Sequence, residues 1–238
     1  EEDERLTKRV EEIKRENREL LRRLEEEVKE LERKSEKIVR DLKEKVDRAK
    51  EKLDSGKGST ELLVEELEKL IREILKLSED HNRTLEEVVR KIEDVLRANL
   101  ERLKELVDEI LKALKERGKG DSEELKRKVE KVARDYERLL RKLREVVKRI
   151  LDESKRLDEE LEERLKEVLK KLEELIKRGG RDHMVLHEYV NAAGITLKLV
   201  EKLIRRNLRL LEELLRLVRE ILRTSNEILE EILKDARR

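Results

Sequence analysis

Residues 6–53 decide the fold, and they read LTKRVEEIKRENRELLRRLEEEVKELERKSEKIVRDLKEKVDRAKEKL. Apolar residues recur there at spacings of three and four, which is typical of one face of an amphipathic helix. The candidate core positions are Leu6, Val10, Ile13, Asn17, Leu20, Leu24, Val28, Leu31, Ser35, Ile38, Leu42, Val46, Ala49 and Leu53. Val10, Val28 and Val46 recur at equal intervals, with five core positions in each interval. The period is therefore about 3.6 residues, which predicts a nearly straight helix without left-handed supercoiling.

Three glycine-containing stretches, residues 54–60, 117–122 and 178–181, divide the chain into four such helical segments. Glycine is favoured just past the end of a helix, where the backbone turns left-handed. The pattern predicts helices at about 2–54, 60–117, 122–178 and 182–236. Because short loops make neighbouring helices antiparallel, the predicted fold is all-α: a single-chain, up-down-up-down four-helix bundle, one domain over residues 1–238.

The composition excludes several classes of function. Of the 238 residues, 53% are charged, with 63 basic against 62 acidic, 1% are aromatic and none is cysteine. Balanced charge and few aromatic residues argue against a nucleic-acid partner. No apolar stretch is long enough to predict a membrane span, and the first residues, EEDERL, do not read as a signal peptide. We predict a monomer without nucleic-acid or membrane partners; the sequence indicates no compartment beyond the cytoplasm of a recombinant host.

The chain also follows the rules of idealised protein design. Proline and glutamine are absent, and outside residues 181–196 every glycine falls in a loop. Helix propensity, apolar pattern and turn residues all favour the same structure. Everywhere outside residues 181–196, the chain resembles a de novo designed helical bundle.

Polar residues interrupt the apolar stripes at two heights of this bundle. Counted from the end that carries loops 54–60 and 178–181, one layer lies 21 to 27 positions away and the other 40 to 45. The first layer contains Ser35, Ser78, His81, Asn82, Ser154 and Asn207; the second contains Asn17, Asn99, Tyr136 and Ser225. We interpret both as hydrogen-bond networks that fix helix register and partner choice. The alternatives are a binding or catalytic site and, for His81 alone, a pH-sensitive role.

Residues 181–196, RDHMVLHEYVNAAGIT, differ from the rest of the chain, and we call them the embedded segment. They contain two of the three histidines, the only methionine and one of two tyrosines, and their β-branched and aromatic content favours a strand. Over its whole length the segment resembles the engineered eleventh strand of green fluorescent protein, the small tag of split GFP. The resemblance implies strand addition to the ten-strand GFP fragment, with Glu188 facing the chromophore. The implied binding residues are Arg181, Asp182, His183, Met184, Val185, Leu186, His187, Glu188, Tyr189, Val190, Asn191, Ala192, Ala193, Gly194, Ile195 and Thr196.

The embedded segment can also form a helix, because it runs without a break into the fourth apolar stripe. The stripe is projected back by 18 residues, the interval between Val10 and Val28, and it then predicts which side chains of the segment face the core. They are Val185, Tyr189, Ala192 or Ala193, and Thr196, flanked by Leu186 and Val190. This helical start would pack against residues 41–54, 60–76 and 164–177. Helix propensity opposes it by several kcal/mol, whereas burial of its large apolar side chains favours it by a similar amount. We therefore predict that this end of the fourth helix is the weakest part of the bundle.

These observations favour a designed interaction protein that holds the strand peptide in a caged helix and complements the ten-strand fragment when opened. It is similar in purpose to LOCKR-type caged switches. LOCKR carries its peptide on a terminal latch helix, whereas here the peptide opens the last helix, so a releasing key peptide stays an open question. The alternative is a static designed bundle with an exposed split-GFP reporter.

An enzyme or metal-binding bundle is the third hypothesis, and the sequence disfavours it. It contains no nucleophile elbow, P-loop or HExxH motif. His183 and His187 are four positions apart, but no carboxylate between them has the zinc-peptidase arrangement. We predict no enzymatic activity, no metal and no cofactor.

Overall fold

A computed structural model of the chain describes residues 2–56, 60–118, 123–177 and 183–237. These residues form four α-helices: α1 is Glu2–Ser55, α2 is Thr60–Glu116, α3 is Glu123–Lys177 and α4 is His183–Arg237. No strand occurs within the described ranges. Each helix begins and ends within one residue of the limit that the glycine pattern predicts, so the chain is all-helical over these residues.

Two helix ends carry the glycine conformation that the sequence suggests. Gly56 has φ +64° and Gly118 has φ +72°, both in the left-handed region. The Gly56 amide donates to the Leu53 carbonyl at 3.3 Å, and the Gly118 amide donates to the Lys115 carbonyl at 3.1 Å. These bonds satisfy carbonyls that a helix leaves without an internal partner, and they end α1 and α2.

The four helices contribute to two compact units, each built from part of every helix. Unit 1 contains α1 up to Val28, the parts of α2 and α3 within Val88–Arg149, and α4 from Leu211 onward. Unit 2 contains the parts of α1 and α2 within Lys29–Glu87 and those of α3 and α4 within Ile150–Leu210. The apolar pattern of the sequence predicts one domain and does not mark this division.

Within both units, α2 and α4 bury a broader face than α1. Along α4 adjacent residues are buried in pairs, such as Leu203 with Ile204 and Leu214 with Leu215. Along most of α1 one residue is buried at each spacing of three or four. In most of its turns, α4 therefore contributes two adjacent side chains to the core. None of the described helices is both long enough and apolar enough to cross a membrane.

The predicted core of α1 is wrong at Ile38, which is 45% exposed, whereas Val39 is buried at 6%. At about 100° per residue, Val39 lies roughly 40° around the helix from Ser35, and Ile38 lies roughly 60° away on the other side. Ser35 is held in the core by a hydrogen bond to His81, so the rotation of α1 is fixed there and Val39 lies closer to the core. Leu20, another predicted core residue, is half-buried.

Ion pairs connect α1 to α2 inside each unit. In unit 2, Lys45 Nζ lies 2.8 Å from Glu73 Oε2, and Lys52 Nζ lies 2.8 Å from Glu66 Oε1. The residue numbers therefore rise along α1 as they fall along α2. The same order holds in unit 1, where the pairs are Arg9–Glu109, Glu16–Arg102 and Glu27–Lys91.

Candidate binding segment and buried polar networks

His183 to Thr196, which is the embedded segment without its first two residues, forms the first turns of α4. Arg181 and Asp182 lie outside the described residues, and so do the side chains of His183, Met184 and Val185. The other side chains show helical burial: Leu186, Tyr189, Val190, Ala193 and Thr196 are buried, His187, Ala192 and Gly194 are half-buried, and Glu188, Asn191 and Ile195 are exposed. The strand-like segment therefore has the burial pattern of an amphipathic helix.

The centre of the buried face differs from the predicted one. Leu186 and Val190 are expected only to flank the core, yet they are 0% and 1% exposed, while Tyr189 is 8% exposed. Ala193, not Ala192, is the buried alanine. The reason is the broad face of α4, which buries two adjacent positions in a turn and so accommodates both rows of side chains. The prediction for Val185 lies outside the described side chains.

Helix and strand present different sets of side chains from this segment. In a strand, alternate residues point to one face, so Leu186 and Val190 would share a face with Glu188. In α4 the first two are buried, and Glu188 is exposed. Because no backbone conformation satisfies both arrangements, the segment must leave the helix before it can act as a strand.

The segment contacts α1 at two places. Val46 Cγ1 lies 3.7 Å from the position that a Cβ on Gly194 would take, and His187 Nε2 lies 3.7 Å from Asp54 Oδ1. Thr196 Oγ1 donates to the Ala192 carbonyl at 2.7 Å, a bond inside the helix that hydroxyl side chains often make. Val46 and Asp54 both belong to residues 41–54, one of the three stretches that the sequence suggests as neighbours.

A charged residue of α3, Glu174, acts on Tyr189. Burial raises the pKa of its phenol, and the carboxylates of Glu174 and Glu188 raise it further. Glu174 lies within residues 164–177, another of the three stretches that the sequence suggests as neighbours. The tyrosine therefore stays neutral at physiological pH, as its place at the edge of the core requires.

We expect Gly194→Ala to stabilise the start of α4. The added methyl group would meet Val46 Cγ1 at 3.7 Å, which is ordinary van der Waals contact, so no atom has to move. Alanine is more favourable than glycine inside a helix by about 1 kcal/mol. Amide hydrogen exchange around residues 190–198 should therefore slow about fivefold. Faster exchange in the variant would show that Gly194 has a role that the helix does not explain.

The first polar layer, in unit 2, centres on His81. Its Nδ1 lies 3.4 Å from Ser35 Oγ on α1, and its Nε2 lies 3.1 Å from Asn207 Nδ2 on α4. Because an amide nitrogen can only donate, Nε2 is the acceptor, and the ring proton is assigned to Nδ1, which donates to Ser35. Burial lowers the pKa of His81 to about 4. We call these three residues the His81 network.

Two further pairs complete this layer without joining the His81 network. Ser154 Oγ donates to Asn82 Oδ1 at 2.5 Å, and Ser78 Oγ donates to Asp158 Oδ1 at 2.8 Å. Asn82 Nδ2 is buried without a hydrogen-bond partner. Asp158 is not among the predicted residues of this layer, although it lies 22 positions before residue 180 and so at the height of Ser35.

The second layer, in unit 1, is a continuous chain that we call the Asn17 network. Tyr136 Oη donates to Asn99 Oδ1 at 3.0 Å, Asn99 Nδ2 donates to Asn17 Oδ1, and Asn17 Nδ2 donates to Asn226 Oδ1 at 2.9 Å. It links all four helices. The residue from α4 is Asn226, not the predicted Ser225.

Ser225 is fully buried beside the Asn17 network but is not joined to it by a hydrogen bond of normal geometry. Burial raises the pKa of Tyr136 to about 12, and the nearby Ser225 hydroxyl offsets part of that rise. The apolar stripe predicts that α4 contributes the residue at position 225, whereas Asn17 donates to Asn226. The last hydrogen bond of the chain therefore goes to the amide oxygen of Asn226 and not to the Ser225 hydroxyl.

Neither layer offers strong catalytic or metal-binding chemistry. Ser35 and His81 are a nucleophile and a base by type, but they are 4% and 3% exposed, so a substrate could not reach them. Both nitrogens of His81 already have partners. Within the described part of the chain, no group of three or more His, Cys, Asp or Glu side chains could hold a metal ion.

Comparisons with known proteins yield little. No protein-family model matches the chain, and no curated protein matches it. Among solved structures it is similar to a protein described as "Computationally designed three helix bundle", with 24% identity and a TM-score of 0.39, over 98% of this chain and 97% of that one. At this TM-score the likeness carries no conclusion about the fold or the function of this chain.

Proposed function

We propose that the chain is a designed helical protein that cages a split-GFP strand. In its closed state the embedded segment is helical, and it binds the ten-strand GFP fragment only after the surrounding helices release it. The observation that carries the proposal is the burial of Leu186 and Val190, at 0% and 1% exposure, inside α4. An accessible reporter tag would leave these side chains in solvent, so their burial favours caging over the static alternative.

The balance of free energies makes such a cage reversible. Gly194 and the β-branched, aromatic, histidine and asparagine residues of the segment disfavour a helix by several kcal/mol in sum. Burial of Leu186, Tyr189 and Val190 favours it by about 1.5–3 kcal/mol for each side chain. Because the two sums are of similar size, a change of a few kcal/mol in the surrounding core would shift the segment between its two states.

The rest of the chain is the frame that imposes the helix. We propose that its helices run up, down, up and down, as the short loops favour and as the ion pairs between α1 and α2 support. The two buried polar layers then serve register: complete hydrogen-bond networks penalise helix pairings in which a buried donor or acceptor is left alone. The composition and the idealised helix ends support a designed origin.

Binding kinetics test this proposal. The chain is immobilised on a sensor surface and the ten-strand fragment is supplied in excess, so that binding is read directly and not through chromophore formation. If opening limits binding, the observed rate stops rising at high fragment concentration and reaches a plateau that equals the opening rate of the chain. An exposed tag would give a rate that keeps rising in proportion to fragment concentration, and that result would refute the cage.

A further inference from the structure

We propose that unit 2 contains an acid-sensitive release: protonation of His81 breaks the link between α2 and α4 and opens the helices around the embedded segment. The use of this release rests on the proposed function, but the opening itself does not, because it can be measured without the GFP fragment. His81 joins three helices, and Asn207, its partner on α4, follows Thr196 by about three helical turns. The hydrogen bond between His81 and Asn207 thus holds α4, the helix that begins with the embedded segment.

The geometry has no place for a second ring proton. Nε2 accepts from Asn207 Nδ2 at 3.1 Å, so a proton on Nε2 would bring two donors together at this distance. Rotation of the Asn207 amide would bring its oxygen to Nε2 and remove that conflict. The imidazolium charge would still lie in a site that is 3% exposed, where an unpaired charge is costly.

The charged groups around His81 do not compensate for that charge. On α3, Asp158 accepts from Ser78, and Glu153 pairs with Arg206 of α4 at 2.6 Å. On α1, Lys34 beside Ser35 lies 3.8 Å from Glu30 at the surface. On α2 itself, Asp80 and Arg83 are exposed. Burial lowers the pKa of His81, and these carboxylates already have a partner or are exposed.

The sign of the pH effect follows from this arrangement. The closed state holds His81 with a pKa lowered to about 4, whereas the solvated ring of the open state takes up its proton near pH 6.5. Open molecules therefore bind more protons, and the closed state is fully favoured above pH 6.5 and loses that advantage as the pH falls towards 4. Between pH 7.5 and pH 5, these two pKa values raise the open fraction about 30-fold.

Hydrogen exchange of α4 residues 186–204 in the full chain tests the release, with rates corrected for the intrinsic pH dependence. We expect opening to rise about 30-fold from pH 7.5 to pH 5 in the unmodified chain and less than threefold in His81→Gln. Ser154→Ala is the matched control, because it removes a hydrogen bond of the same polar layer but no group that titrates between pH 5 and pH 7.5; it should keep the dependence of about 30-fold. If His81→Gln loses its helical circular dichroism at pH 7.5, His81→Asn takes its place.

Equal acceleration in the unmodified chain and in the folded His81 variant would overturn the proposal, and so would no acceleration at all. The result is separate from the proposed function. Acid-dependent exchange in a chain that never binds the ten-strand fragment would refute the cage and keep the release. Normal binding after opening by other means, with pH-independent exchange, would refute the release and keep the cage.

Discussion

Replacing Ile71 with alanine should accelerate binding of the ten-strand GFP fragment about 100-fold. Ile71 is fully buried on α2 in unit 2, the unit that holds the embedded segment. Truncating a buried isoleucine to alanine destabilises a core by about 2–5 kcal/mol, and about 2.7 kcal/mol corresponds to about 100-fold in an equilibrium constant. If binding draws on open molecules, the observed rate rises in proportion to their fraction.

The matched control for this variant is Ile110→Ala. Ile110 is the same residue type on the same helix and is also 0% exposed, but it belongs to unit 1. We expect similar losses in the free energy of unfolding for both variants, measured in guanidinium chloride, but less than a fivefold increase in binding rate for Ile110→Ala. Equal acceleration by both would show that the chain opens as one cooperative body. No acceleration by either would show that core stability does not control access to the strand.

Asn17→Ala should destabilise the chain by about 2–4 kcal/mol, because Asn17 is the centre of the Asn17 network. Its removal leaves Asn99 Nδ2 without an acceptor and Asn226 Oδ1 without a donor. Each buried polar group left alone costs about 1–3 kcal/mol. The loss is measured by denaturant unfolding of the variant beside the unmodified chain.

The informative control replaces the whole network by apolar side chains: Asn17→Leu, Asn99→Leu, Asn226→Leu and Tyr136→Phe together. With no orphaned donor or acceptor, this variant should recover most of the stability that Asn17→Ala loses. If the network serves register, the fully apolar variant should give broader amide resonances or a mixture of oligomers. An Asn17→Ala variant as stable as the unmodified chain would mean that the network contributes nothing to the fold.

Much of the fold is predictable because local signals agree. Glycines after residues 55 and 117 set the ends of α1 and α2, since a left-handed backbone is needed there. The polar layers can be found by counting residues from a shared end, because all four helices have nearly the same rise per residue. The same count places Asp158, the partner of Ser78, in the first layer.

The remaining details depend on tertiary contacts that a single stripe does not encode. The exposure of Ile38 follows from the rotation at which His81 holds Ser35. The deep burial of Leu186 and Val190 follows from the breadth of the α4 face, which depends on how its neighbours pack. The division into two units leaves no mark in the apolar pattern. The proposed partner of the embedded segment rests on a sequence resemblance alone, because the helical structure of the segment gives no sign of a strand.

The most direct test of the cage compares the intact chain with the free peptide RDHMVLHEYVNAAGIT. Both are offered at the same concentration to the immobilised ten-strand GFP fragment, and the initial binding rates are measured at pH 7.5. We predict that the intact chain binds more than about 100-fold more slowly, which requires an opening free energy above about 2.7 kcal/mol. Binding of the intact chain as fast and as complete as that of the free peptide would contradict it.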